Sequence, residues 1–367
     1  MPPTISFARG APSADIMPAE DVRAAADRAL RVDPAGALSY GAGTGYGPLR
    51  DWIADRHDVD PAQVLVANGS LEAGIMLFDH LVEPGEPVLV EAPSYDRTLL
   101  ALRERGAELV PIPLEDDGLD VRALETQLDG GLKPRFIHAI TNFHNPAGCT
   151  LSLTKRERLL ELAAAGDFLV FEDDPYREVR FAGEDLPTML SLDSEQRVVY
   201  ASSFSKTIAP GVRVGYLIGP PDVISAVARA AVNTYISPNM LAQAIVSEFC
   251  TSGAIERSIA TVCAALRERR DAVAESLERH FGADARFVLP EGGYFLWVVL
   301  PEDVDTALLL SAAQERGVTF VKGADFMLEG GHNALRLAYS AVTPEQAREG
   351  IRLLAEARDA IAAPALG

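Results

Sequence analysis

Val64-Leu65-Val66-Ala67-Asn68-Gly69-Ser70-Leu71-Glu72-Ala73 places a strand, a glycine turn and the start of a helix in immediate succession. Val64–Ala67 is a short apolar run, and Leu71–Leu81 reads as the helix that follows it. The same unit recurs downstream. Strand Pro87–Glu91 precedes helix Arg97–Arg105, strand Glu108–Pro111 precedes helix Val121–Leu128, and strand Arg135–Ile140 precedes helix Thr154–Ala165, with Ser152 and Thr154 as cap candidates. The near-continuous apolar strand Phe168–Glu172 comes next, followed by Val198–Ala201 and Val214–Ile218. Alternation of this kind specifies an α/β fold with a mostly parallel, helix-covered sheet. Such sheets bind ligands at the carboxyl ends of their strands.

At 367 residues the chain is long enough for roughly two domains. After about residue 255 the texture changes: a long helix over Ile255–His280, strands Arg286–Leu289 and Tyr294–Val299, a helix near Thr306–Arg316, strand Ala334–Ser340 and a final helix Pro344–Ala360. The expected division is a large domain over 36–255 and a smaller α+β domain made of 1–35 and 256–367. A net charge of -20 excludes the basic face that nucleic acid requires. No apolar run approaches the ~18–20 residues of a membrane span. Met1-Pro2-Pro3-Thr4-Ile5-Ser6 lacks the basic start and apolar core of a secretory leader. The odd, widely spaced Cys149, Cys250 and Cys263 read as reduced thiols, so a cytoplasmic protein without disulfides or a metal site is expected.

The strand-end loops carry the chemistry. Ser202-Ser203-Phe204-Ser205-Lys206-Thr207-Ile208-Ala209-Pro210-Gly211-Val212-Arg213-Val214-Gly215-Tyr216 surrounds one lysine with hydroxyls, an arginine and glycines. Hydroxyls and a guanidinium fork suit a phosphate dianion, and a lysine beside them can form an imine with an aldehyde. Phosphate and aldehyde on one small molecule suggest pyridoxal 5′-phosphate (PLP). The turn at Gly69-Ser70-Leu71 is either a helix N-terminus built for phosphate or an ordinary capped helix. Tyr95, in Glu91-Ala92-Pro93-Ser94-Tyr95, either stacks on a pyridine face or is a half-buried core ring. Asn145, held extended before Pro146, either bonds a phenolic oxygen or belongs to a common Asn-Pro turn. Glu172-Asp173-Asp174 puts three carboxylates at the end of a buried strand, which is costly without a cation; a protonated pyridine nitrogen is one such partner. Arg336, within the apolar strand Ala334-Leu335-Arg336-Leu337-Ala338-Tyr339, needs a carboxylate from the protein or from a substrate.

With these motifs the chain closely resembles the fold-type I PLP-dependent aminotransferases of the class I/II family. It is nearest to the 2-aminoadipate/aromatic aminotransferase branch and to the aminotransferase-like domain of MocR-type regulators. The resemblance runs from Ile5-Ser6-Phe7-Ala8 to Ala334-Leu335-Arg336-Leu337-Ala338-Tyr339 and includes the long spacing between motifs. It implies that Lys206 is the Schiff-base lysine, that Asp173 pairs with the pyridinium nitrogen, and that Tyr95 stacks on the ring. Asn145 and Tyr176 would bond the phenolic oxygen. Ser70, with the backbone at Gly69 and Leu71, would hold the phosphate together with Ser203, Ser205 and Arg213. Tyr46, in Gly43-Thr44-Gly45-Tyr46-Gly47-Pro48-Leu49-Arg50, is similar to the tyrosine that reaches the neighbouring subunit's phosphate, which implies a homodimer with shared active sites. Arg336 would clamp the substrate α-carboxylate, with Asn145 and Arg9 beside it.

The implied activity is transfer of an amino group from an L-amino acid to a 2-oxo acid by a ping-pong mechanism. Three positions depart from the branch: His144 where it has glutamine, Ala147 where it has threonine, and Arg9-Gly10 where it has paired glycines. Arg9 either salt-bridges a side-chain carboxylate or points to solvent. His144 and Arg9 keep open a PLP-dependent amino-acid oxidase or cyclase on the same scaffold. A non-catalytic PLP-sensing domain is disfavoured, because the similarity begins within the first ten residues and leaves no room for a winged helix ahead of it.

Overall fold

A two-residue strand, β1 (Ile5–Ser6), opens the described part of the chain, residues 4–362 of a computed structural model. The Met1–Pro3 opening and the last residues of the expected small domain, 363–367, lie outside the described residues. Eight strands then build the central sheet: β2 (Val64–Ala67), β3 (Pro87–Ala92), β4 (Glu108–Glu115), β5 (Gly118–Leu119), β6 (Phe136–Ala139), β7 (Leu169–Asp173), β8 (Val198–Ser203) and β9 (Gly215–Ile218). Their spatial order is β2-β9-β8-β7-β6-β3-β4-β5. The strands β4, β3, β6, β7 and β8 run parallel. β9 runs antiparallel to both β8 and β2, and β5 antiparallel to β4. β9 reverses because the connection from β8 carries only a 3₁₀ turn, Pro210–Val212, and a parallel return needs a longer crossover, usually a helix.

Strand residues alternate between two cores. Val64 and Val66 of β2 join one core, which also holds Ile137, Val170 and Val198; Leu65 and Ala67 join the other, with Phe136, Phe171 and Val199. Both faces of the sheet are therefore buried under helices, and its strands read as continuous apolar runs rather than alternating ones.

The C-terminal unit adds β10 (Phe295–Val299), β11 (Val318–Thr319), β12 (Val321–Lys322) and β13 (Ala334–Ala338). They form an antiparallel sheet in the order β10-β13-β12, while β11 pairs in parallel with β1. Phe7, Leu266, Phe295, Leu335 and Ile351 share the third core. The strand expected at Arg286–Leu289 does not form. Arg286 alone bridges Val299; Leu289 is 51% exposed, and Pro290 follows with no N–H to continue a ladder.

The stretch before residue 36 divides between the cores instead of packing wholly on the C-terminal unit. Phe7 and Ile16 bury there, whereas helix Ala19–Val32 turns Ala25 and Ala29 into a large-sheet core beside helix Met240–Thr251. Small side chains on that face let the two helices approach closely. The 28-residue helix Ala254–Phe281 also crosses between units, with Ile255 in the first core and Leu277 in the third.

Candidate active site

The carboxyl ends of β3, β6, β7 and β8 face one cavity of about 170 Å³. Ser70, Leu71, Tyr95, Asn145, Asp173, Tyr176, Ser203, Ser205, Lys206 and Arg213 all line it. Lys206 sits in the loop after β8 with its Nζ 5.3 Å from the ring centres of both Tyr176 and Tyr294. That amine donates to the Gly10 carbonyl at 3.2 Å. Burial pushes its pKa down to about 8; the Asp173 carboxylate opposes the shift, and the Arg336 and Arg213 cations reinforce it.

Asp173 ends β7, and the alternation of the strand separates it from its acidic neighbours. Glu172 is fully buried and accepts from Thr141 Oγ1 and from the Met189 and Leu190 N–H groups, each at 3.0 Å, which caps the short helix Met189–Leu192. Asp174 accepts from Asn142 Nδ2 at 2.9 Å, and burial together with the Glu172 charge raises its pKa to about 7. Asp173 is the carboxylate that reaches the cavity. His138 Nε2 lies 3.4 Å behind its Oδ2 and 3.4 Å from Thr98 Oγ1.

At the opposite end, helix Ser70–Leu81 points its N-terminus into the cavity after Gly69, whose φ is +109°. A Cβ on Gly69 would stand 2.4 Å from an Arg213 guanidinium nitrogen, and one on Gly215 2.3 Å from the Ser70 amide. Both positions therefore need glycine for the arginine, the helix start and β9 to come together. Ser203 Oγ donates to Ser205 Oγ at 2.9 Å and accepts from the Ser205 N–H at 3.1 Å. Backbone N–H groups, hydroxyls and a guanidinium thus converge on one spot, a combination suited to a phosphate dianion.

Arg336 enters from β13 and is 7% exposed. It donates to Asn145 Oδ1 at 2.9 Å and to the Ala8 carbonyl at 2.7 Å, and it lies 4.4 Å from the Phe295 ring centre and 4.7 Å from that of Phe326. Its Nε has no partner, and no carboxylate pairs with it among the described residues. A buried cation without a counter-charge is costly, and an incoming carboxylate relieves that cost. Together with the lysine and the phosphate cradle, this orphaned guanidinium makes the cavity fit PLP and an amino acid.

Three expected residues stand elsewhere. Arg9 is exposed, and its side chain has no hydrogen bond or ion pair among the described residues; its neighbours Ala8 and Gly10 place their carbonyls on Arg336 and Lys206. Tyr46, expected to reach a neighbouring subunit, is turned into its own chain here. It is 8% exposed, its hydroxyl donates to Asp33 Oδ2 at 2.9 Å, and burial beside Asp33 lifts its pKa to about 12. His144 is fully buried against Glu91, outside the cavity lining. Sequence reasoning missed Gly10, His138 and Tyr294, whose hydroxyl donates to the Lys206 carbonyl at 3.1 Å. The glycine pair ahead of Tyr294 was the available signal for the last of these.

Residues 2–354 match the sequence profile of the family described as aminotransferase class I and II. An aromatic-amino-acid aminotransferase of Thermococcus litoralis is 35% identical over 96% of this chain and 87% of its own length. A 2-aminoadipate transaminase of Thermus thermophilus is 36% identical over 97% of this chain and 90% of its own. The crystal structure of α-aminoadipate aminotransferase from Thermus thermophilus, complexed with N-(5′-phosphopyridoxyl)-L-leucine, superposes with a TM-score of 0.93 at 35% identity, covering 98% of this chain and 93% of that one.

Proposed function

The chain belongs to the class I and II aminotransferases, and from that premise we propose the division of labour among its residues that follows. It is a fold-type I enzyme that uses PLP to move an amino group between an amino acid and a 2-oxo acid. Bound PLP supplies an electron sink for the charge left on the substrate α-carbon. Lys206 would hold the cofactor through its amine and, when that amine is free, would take the α-proton as general base. A pKa near 8 leaves part of the amine unprotonated at neutral pH, which an ordinary lysine does not achieve. Asp173 holds a proton on the ring nitrogen, with His138 behind it. Asn145 and Tyr176 hold the phenolic oxygen, and Tyr95 stacks on the ring. The backbone at Gly69 and Leu71, with Ser70, Ser203, Ser205 and Arg213, holds the phosphate. Arg336 takes the α-carboxylate.

The observation that carries this assignment is the buried Arg336, with an unpartnered Nε and no carboxylate partner among the described residues, whose charge helps to lower the Lys206 pKa. It is tested by giving the loaded enzyme an amino donor without any 2-oxo acid. One equivalent of new oxo acid per site should form, turnover should then stop, and a second oxo acid should restart it. Oxygen consumption over many turnovers, or continued turnover without an acceptor, would favour the oxidase or cyclase. His144 is buried against Glu91 outside the cavity lining, which weighs against its direct contact with a substrate in that alternative.

A homodimer with shared sites and a cytoplasmic location complete the proposal. Leu38, Tyr40, Val232 and Ile236 are 66%, 82%, 44% and 59% exposed, an apolar edge that a second copy of this chain would cover. Gly43, just after Leu38 and Tyr40, packs directly on Val232, so these groups share one surface. Because Tyr46 spends its hydroxyl on Asp33, Tyr40 is the tyrosine free to reach a partner's site. The cytoplasmic location is supported by three unpaired cysteines. Among the described residues no helix is long and apolar enough to cross a membrane. The large unit is taken as residues 36–255 with helix Ala19–Val32 added to it, and the remainder as the smaller unit.

A further inference from the structure

We propose that Glu91 and His144 form a positioning pair that fixes two walls of the cofactor cavity relative to each other. Both side chains are at most 1% exposed, and His144 Nε2 lies 2.9 Å from Glu91 Oε2. The second imidazole nitrogen, Nδ1, accepts the Ala147 N–H at 3.1 Å, so the proton resides on Nε2 and is donated to the carboxylate. Glu91 Oε2 also accepts the Ile140 N–H at 2.9 Å. One carboxylate oxygen therefore binds the end of β3 to the segment leaving β6.

The position of this pair gives it a consequence for the site. Glu91 lies near the end of β3, four residues before Tyr95; His144 immediately precedes Asn145. Tyr95, Ile140 and Asn145 all line the cavity, and each sits within four residues of a member of the pair. The His144 backbone is held as well: its N–H donates to the Cys149 carbonyl at 2.8 Å, and its carbonyl accepts the Gly148 N–H at 2.7 Å. Asn145 in turn accepts from Arg336 at 2.9 Å. Two hydrogen bonds, Glu91 to His144 and Asn145 to Arg336, are thus joined through the peptide bond between His144 and Asn145. Removing the imidazole strips a buried carboxylate of one of its two donors and the Ala147 N–H of its acceptor. Glutamine can replace both, since its amide offers one donor and one acceptor.

The inference rests on the proposed contacts of Asn145 and Tyr95 with PLP, so the test includes those residues. Equilibrium PLP affinity and the pH titration of the bound cofactor's visible band are measured for wild type, His144→Ala, His144→Gln, Asn145→Ala and Tyr95→Ala, with melting of the cofactor-free proteins as the folding control. His144→Ala should bind PLP about tenfold more weakly and shift the titration, the range seen when groups orienting a direct ligand are removed. His144→Gln should return both to within about threefold of wild type, on the same scale. A folded His144→Ala with unchanged affinity and titration overturns the proposal. If His144→Ala does not fold, His144→Gln decides: wild-type affinity and titration support the pair, and loss of either in a folded protein refutes it. Silence of Asn145→Ala and Tyr95→Ala would instead sink the cofactor contacts, whatever His144 does.

Discussion

Replacing Asp173 with asparagine should cripple catalysis while leaving the fold almost untouched. The Asp173 side chain is 16% exposed, and its nearest polar partner in the chain is His138 at a long 3.4 Å. Losing so weak a contact should change stability by less than about 1 kcal/mol. In the proposed division of labour this carboxylate keeps the ring nitrogen protonated, and removing one such preorganised charge typically raises a barrier by about 3–4 kcal/mol, or ~100- to 1000-fold in kcat. A second effect follows in the cofactor-free protein. Asp173 is the one charge that holds the Lys206 pKa up, against burial, Arg336 and Arg213. The variant should therefore have a Lys206 amine below about 8, read from the pH dependence of its acylation rate. Single-turnover stopped flow on the loaded enzyme gives the catalytic loss, and denaturant melts give the stability. A kcat within about threefold of wild type for Asp173→Asn, with the hundredfold loss appearing in Asp174→Asn instead, would refute the assignment of the cavity-facing carboxylate.

Lys206→Ala should abolish turnover yet still bind PLP through the spread phosphate contacts, measured as cofactor retained after dialysis; borohydride labelling of another lysine in the wild type would contradict it. Asp174→Asn should flatten the pH dependence of stability. The folded-state pKa of Asp174 is raised to about 7 from an ordinary 3.8, so stability is full below about pH 4, declines as the pH rises towards 7, and stays lower above it. The slope removed is at most about 1.4 kcal/mol per pH unit, and melts at pH 5 and 8 that keep the wild-type difference would count against it. Ile236→Asp combined with Tyr40→Ala should shift the protein from dimer to monomer in sedimentation, with the melting of the monomer showing that it remains folded. An unchanged dimer would place the interface elsewhere.

The sheet was legible because burial on both faces writes itself into sequence. Runs such as Val64–Ala67 and Val198–Ala201 are apolar throughout, and glycine or polar residues mark the loops between them. The same signal is absent from helix Gly47–His57, whose charged and apolar residues show no clean face, and it was not read from the sequence. Arg286–Leu289 shows the opposite failure. Its Phe287 and Val288 have strand propensity, yet tertiary pairing stops at Arg286, because local preference does not supply a partner edge.

The cavity-lining residues were legible for a different reason. Phosphate, ring and carboxylate each demand a side chain of fixed chemical type at a strand end, so the type and the place both survive in the sequence. Direction does not survive in the same way. Tyr46, His144 and Arg9 all fall near the right loops, but their roles depend on which atoms they bond. Asp33 draws the Tyr46 hydroxyl inward, Glu91 and Ala147 occupy both nitrogens of His144, and Arg9 turns outward while its neighbours' carbonyls meet Arg336 and Lys206. Each partner is either distant in sequence or a backbone group, invisible to motif spacing. The two departures at His144 and Arg9 therefore separate physically. His144 lies behind the cavity wall, where it affects cofactor geometry. Arg9 is exposed beside the residues whose carbonyls meet Arg336 and Lys206.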